Sequence, residues 1–219
     1  MKKRWLLLIV MGIVLIGGIV SRVLWTPDPR QLVEHGLERL NGATAFRYSV
    51  TQNQWINGQE RIMTQIQGEK DGGNIHLLGN LVGSEVEMTL IGEEWYNKDP
   101  FTKKWIKFKN SPGAQDVFLA EVSPLSSLQF KEIGEVVLSG QEKVDGKKTW
   151  VCSLQPSVQN PIMEEFWTDF TYTVYVSKSS KDIVKVVIGA KSKDKAQTMN
   201  MELGFKDLGK KITIMAPDL

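Results

Sequence analysis

The hydrophobic pattern of the chain begins with one long apolar run. It extends from Trp5 to Val20, follows the basic tip Lys2-Lys3-Arg4 and closes at Trp25. About 20 residues at about 1.5 Å each span the hydrocarbon core of a bilayer. Trp5 and Trp25 then fall near the two interfaces, where amphipathic rings prefer to lie. We therefore predict that residues 1–25 are an N-terminal transmembrane anchor.

Charge predicts the side on which the rest of the chain lies. The basic residues before the run favour a cytoplasmic N terminus, and Arg22 at its far end weakens this bias without reversing it. A cleaved signal peptide is the alternative, but no small-x-small cleavage site follows the run. In both cases the prediction is a cell-membrane or envelope protein whose C-terminal domain is extracytoplasmic. With the anchor retained, the chain is single-pass.

A helical period follows the anchor. Residues 26–29, Thr-Pro-Asp-Pro, form a short stiff tether, and the extracytoplasmic domain is predicted over residues 30–219. A first helix is predicted from Pro29 or Arg30 to Leu40, because its apolar positions share one helical face and Asn41-Gly42 ends it. Those positions are Leu32, Val33, Gly36, Leu37 and Leu40.

From Ala45 the period changes to two, which predicts strands. Short strands alternate with turn signals such as Asn57-Gly58 and Asp145-Gly146, and these spacings admit only antiparallel neighbours. The last fifty residues predict three or four more strands, at 171–177, 183–190, 198–206 and 211–215.

Two further stretches return to helical spacing. Gly113 to Leu128 predicts two short helices divided by Pro124, and Asn160-Pro161 predicts the start of a helix that continues to Phe170. The expected fold class is α+β: one large antiparallel sheet with three or four helices against one face.

The order of elements resembles the bacterial lipoprotein-carrier superfamily, which includes LolA-like carriers, LppX/LprG-type lipoproteins and RseB-like sensors. The best local match is Tyr172 to Val186, a strand, a polar turn and a returning strand. Ser177 stands where the family often has aspartate, and no proline follows. The resemblance implies a strongly curved half-barrel of about 10 to 12 strands. It also implies helices on the concave face, an enclosed apolar cavity, and a binding protein with no enzymatic activity.

Charge and reactive residues narrow the function further. Without the four basic residues of the anchor, 23 basic residues stand against 25 acidic ones, so nothing indicates a nucleic-acid partner. His35 and His76 lack partners at metal-ligand spacing, and no cofactor, metal or catalytic residue is predicted. Cys152, the single cysteine, lies in an apolar strand and is expected to be a buried small hydrophobe.

Two hypotheses for function follow. The first is a tethered binding protein that holds a lipid or other apolar ligand in a dry cavity. The second is an envelope protein-interaction or sensory module with the same fold, a filled core and no ligand. Under the second hypothesis the apolar helices are ordinary core. Under the first, the candidate cavity residues are Phe118, Leu119, Val122, Ile162, Met163, Phe166, Trp167, Phe170, Met88, Met199 and Met201.

Overall fold

The computed structural model describes residues 27–109 and 123–219. The predicted anchor at 1–25 and three candidate cavity residues, Phe118, Leu119 and Val122, lie outside these ranges. Within them, no helix has the length and apolar character needed to cross a membrane. The elements are α1 (Pro29–Gly42), β1 (Ala45–Ile56), β2 (Gln59–Asp71), β3 (Asn74–Leu81), β4 (Ser84–Ile91), β5 (Glu94–Lys98), β6 (Trp105–Lys109), a 3₁₀ turn (Ser126–Leu128), β7 (Phe130–Glu132), β8 (Val136–Val144), β9 (Lys147–Leu154), β10 (Ser157–Val158), α2 (Pro161–Phe166), β11 (Trp167–Ser177), β12 (Ile183–Ser192) and β13 (Gln197–Lys206).

Eleven of the strands form one sheet in the order β6-β5-β4-β3-β2-β1-β13-β12-β11-β9-β8. The neighbouring strands are all antiparallel, as predicted. The first strand pairs with the last, with Val50 opposite Leu203, and this pairing joins the N-terminal meander to the C-terminal strands. Strands β7 and β10 form a separate two-stranded sheet.

The described residues contain fewer helices than predicted for the whole domain. The described residues contain two α-helices and one 3₁₀ turn, not three or four helices. Of the predicted pair over 113–128, only residues 123–128 are described, and they form the 3₁₀ turn. The prediction of a helix to Phe170 was wrong, because α2 ends at Phe166 and Trp167 begins β11. Aromatic and β-branched residues dominate 167–174, and they favour a strand. The prediction of a fourth C-terminal strand at 211–215 was also wrong, because these residues do not form a strand.

Helix α1 has the predicted amphipathic form. The Asp28 side chain accepts hydrogen bonds from the backbone N–H groups of Arg30 and Gln31, at 2.9 and 3.3 Å, and so caps the helix. The apolar face is buried against β8, β11 and β12, where it joins the main hydrophobic core. The cap and the buried face together fix the start and the direction of the helix.

The two ends of the sheet differ in packing. By strand order, one end carries the turns at 72–73, 92–93, 145–146 and 178–182, and we call it the closed end. Here Phe46, Tyr48 and Phe205 pack together, with ring centroids 6.0 to 6.1 Å apart. The ring of Tyr48 covers Gly68 on β2, where a Cβ atom would lie 2.1 Å from the ring. A residue with a side chain at position 68 would displace this ring, which accounts for glycine there.

The other end, which we call the open end, carries the turns at 57–58, 82–83, 99–104 and 193–196. Along the core face of β1 the buried positions Phe46, Tyr48 and Val50 give way to Gln52 and Gln54, which are only partly buried. The interior of the sheet is therefore filled toward the closed end and less completely filled toward the open end.

Candidate ligand-binding site

A cavity of about 240 Å³ lies between α2 and the open half of the sheet. We call it the inner pocket. Six of the eleven cavity residues predicted from the sequence line it, and they come from α2, the start of β11 and the start of β13. They are Ile162, Met163, Phe166, Trp167, Met199 and Met201.

Helix α2 is positioned by Asn160, the residue that precedes it. The side chain of Asn160 accepts hydrogen bonds from the backbone N–H groups of Ile162 and Met163, both at 3.1 Å. Its amide group also donates to the carbonyl of Ser126 at 3.3 Å, which ties α2 to the 3₁₀ turn. Met163 is thereby turned inward and buried, and Phe166 stands exposed at the far end of the helix.

We expect the substitution Asn160→Ala to lower the free energy of unfolding by about 1 to 2 kcal/mol, because it removes the cap of α2 and the bond to the 3₁₀ turn. Urea denaturation measures the change. The matched control is Asn80→Ala on β3, a partly buried asparagine outside this cap. An equal loss of stability in both variants would contradict the positioning role of Asn160.

The floor of the inner pocket mixes apolar and polar groups. Met199 and Met201 on β13 are buried, and Gln52, Gln54 and Thr64 contribute polar atoms. The Ser127 hydroxyl contacts the Met201 sulfur at 3.8 Å. Such a lining favours an apolar guest and offers hydrogen bonds at its edge.

Tyr172 holds the wall of the pocket in place. Its hydroxyl donates to the carbonyl of Ser127 at 2.8 Å, and its ring meets Phe130 edge to face at 5.1 Å. Burial raises the pKa of Tyr172 well above its usual value, so the hydroxyl keeps its proton and remains a donor.

A second, open cleft of about 1090 Å³ adjoins the inner pocket, and we call it the outer cleft. Trp167 and Met199 line both cavities, so they form the partition between them. Phe170, predicted as a cavity residue, lines only the outer cleft. It lies in a bulge of β11, where Asp169 and Phe170 stand opposite the single residue Ala190.

The remaining predicted residues lie elsewhere. Met88 on β4 packs against the hydrophobic core and lines neither cavity, whereas Phe118, Leu119 and Val122 fall outside the described residues. The sequence did not predict Gln52 and Gln54 as cavity residues, although both line the inner pocket. The signal that could have found them is the change from apolar to polar residues along one face of β1.

Cys152 and His76 are residues of types that can react or bind a metal ion. Cys152 is buried, and burial raises the pKa of its thiol to about 11, so the sulfur stays protonated at neutral pH. His76 lies 3.5 Å from Glu87, which also pairs with Lys98 at 2.7 Å. Among residues 27–109 and 123–219, no three histidine, cysteine or acidic side chains are grouped to hold a metal ion.

Comparison with known proteins gives matches among solved structures. No family model and no curated protein matches the sequence. The lipoprotein LppX of Mycobacterium tuberculosis is 13% identical, with a TM-score of 0.59 over 86% of this chain and 100% of that one. LprF of Mycobacterium bovis is 14% identical, with a TM-score of 0.60 over 88% of this chain and 98% of that one.

A LolA superfamily protein of Nitrosomonas europaea aligns more loosely, with a TM-score of 0.36 and 12% identity over 86% of this chain and 96% of that one. At such identities the likeness to LppX and LprF concerns the fold. The chain therefore shares the fold of LppX and LprF, as the resemblance to LppX/LprG-type lipoproteins implied.

Proposed function

We propose that this chain is a membrane-tethered, extracytoplasmic binding protein that holds a lipid or another apolar ligand. The observation that carries the proposal is the inner pocket, which lies where the interior of the sheet is not filled. Its apolar lining includes the side chains of Met163, Phe166 and Trp167, beside the polar groups described above. Methionine adapts its shape to the guest, which suits a pocket that accepts varied acyl chains.

The size of the inner pocket limits what it holds. Its 240 Å³ is below the roughly 300 to 1,000 Å³ typical of sites that enclose a whole small molecule. We propose that one acyl-chain segment occupies the inner pocket and that the rest of the ligand extends past Trp167 into the outer cleft. Each buried methylene contributes about 0.8 kcal/mol, so a short segment supports useful affinity.

The membrane tether is the second part of the proposal. It is supported by the apolar run from Trp5 to Val20 and by the basic residues before it. The retained anchor keeps the domain close to one bilayer, where it collects a ligand from that membrane or presents one to it.

The alternative is an envelope protein-interaction or sensory module without a ligand. The packed closed end favours it, because the buried rings of Phe46, Tyr48 and Phe205 fill the core face of the sheet there. The two functions differ in one observable, the presence of a bound apolar molecule.

We expect the domain without residues 1–25 to retain lipid after expression in bacteria. Organic extraction and mass spectrometry identify the retained molecule. After delipidation, the domain should bind one fluorescent fatty acid with a dissociation constant on the order of micromolar. A lipid-free domain that also takes up no fatty acid would favour the interaction module.

A further inference from the structure

Several large apolar side chains are exposed at the open end. Ile62, Val82, Phe101 and Phe166 are 60, 66, 91 and 61% exposed. They lie at the start of β2, in the β3–β4 turn, in the β5–β6 turn and at the end of α2, and we call them the apolar rim. The closed-end turns, in contrast, consist of glycine and polar residues: Gly72-Gly73, Gly92-Glu93, Asp145-Gly146 and Lys178 to Asp182.

Two residues of the apolar rim adjoin the inner pocket. Val82 and Phe166 themselves line the pocket. The backbone N–H of Val82 donates to the carbonyl of Met63 at 2.7 Å, and Met63, the neighbour of Ile62, also lines the pocket. A surface that covers Val82 and Phe166 would therefore face the inner pocket.

Helix α1, the first element of the domain, begins at the open end. The side chain of Arg30 donates to the carbonyl of Gly134 at 3.0 Å, and Gly134 packs against Gln155, which lines the outer cleft. At its other end α1 is held by Arg39, which donates to Asp182 at 2.8 Å in a closed-end turn. Helix α1 thus runs from the open end to the closed end.

The tether is too short to let the domain turn freely. Thr26 to Pro29 are four residues, and at about 3.3 to 3.6 Å each they reach at most about 14 Å. A retained anchor therefore holds the start of α1, and with it the open end, close to the membrane surface.

We infer that the open end docks on the bilayer entered by the N-terminal segment, with the apolar rim in the headgroup region and the inner pocket facing the lipids. This inference rests on the anchor of the proposed function. A bilayer fits better than a protein partner, because the rim side chains project from four separate elements. Single apolar tips penetrate an interface, whereas a stable protein contact needs about 800 Å² on each partner.

A matched pair of fluorescent labels tests the orientation. Ser84 at the open end and Ser180 at the closed end are both exposed serines, so Ser84→Cys and Ser180→Cys are comparable labelling sites. The wild type, treated with the same reagent, is the background control. We expect it to remain unlabelled, because its single cysteine, Cys152, is buried. The full chain is reconstituted into phosphatidylcholine–phosphatidylglycerol vesicles that contain nitroxide-labelled lipid. We expect several-fold stronger quenching of the label at position 84 than of the label at position 180.

A double variant tests the apolar rim. Ile62→Ser with Phe101→Ser changes two rim residues that line neither cavity. We expect the quenching at position 84 to fall several-fold while uptake of fluorescent fatty acid stays unchanged. Unchanged quenching in this variant would overturn the docking.

Vesicle flotation separates the two proposals. If the chain floats with the vesicles but the labels at positions 84 and 180 are quenched equally, the result supports the anchor and contradicts the docking. A chain that does not float contradicts the anchor as well as the docking. Fatty-acid uptake, measured separately, reports on the ligand site alone.

Discussion

The substitution Gly79→Ala is expected to lower the free energy of unfolding by about 3 kcal/mol or more, since it combines backbone strain with overpacking. Gly79 lies on β3 with a φ of 148°, a backbone conformation that residues other than glycine rarely adopt. An added Cβ would lie 2.1 Å from the carbonyl oxygen of Gln65 and 2.7 Å from the Cα of Ile66. Both atoms belong to the backbone of β2, so relief requires a shift of the sheet ladder.

Thermal and urea denaturation of the domain measure this effect. A loss of 3 kcal/mol corresponds to a drop in Tm of roughly 6 to 12 °C for a domain of this size. Gly73→Ala is the matched control, because nothing lies within 4 Å of its added Cβ. We expect that control to change stability by less than about 0.5 kcal/mol. Similar stability of the two variants would show that β2 and β3 do not approach as closely at Gly79.

The local elements of the fold could be predicted because their signals are local. Asn57 and Asp145 adopt positive φ angles, and each is followed by a glycine that does the same, which is the geometry their Asn-Gly and Asp-Gly signals predict. The buried positions of α1 also follow directly from their spacing. In these segments neighbouring residues determine the conformation, so one sequence suffices.

The pairing of β1 with β13 could not be read in the same way. Val50 and Leu203 are far apart in the chain, and many strands with alternating residues could have taken either place. The end of α2 was missed for a different reason. Trp167 and Phe170 continue the apolar spacing of the helix, but their β-forming neighbours and the pairing with β12 place them in a strand.

The candidate site was found where its residues are apolar and missed where they are polar. Met163, Met199 and Met201 were predicted because large apolar residues belong to the interior of this fold class. Gln52 and Gln54 were missed because a glutamine on a strand is usually assigned to the solvent face. The register with Thr64 and Met201 places Gln52 in the pocket floor.

The substitution Gln52→Trp is expected to weaken fatty-acid binding by about 200-fold, because the added ring fills space that about four methylenes would otherwise occupy, at about 0.8 kcal/mol each. Gln52 lines the inner pocket and is opposite Thr64 on one neighbouring strand and Met201 on the other. Titration of the delipidated domain with a fluorescent fatty acid gives the dissociation constants. Unfolding curves of the same preparations verify that the variant is folded.

Thr51→Trp is the matched control for this substitution. Thr51 is the next residue on β1 and therefore points to the opposite face of the sheet, away from the pocket. The same ring placed there should leave the affinity within about twofold of the wild type, since surface substitutions rarely change the interior. Equal loss of binding in both variants would indicate a general disturbance of the sheet. Unchanged binding in Gln52→Trp would place the ligand outside the inner pocket, because a filled pocket cannot admit an acyl chain.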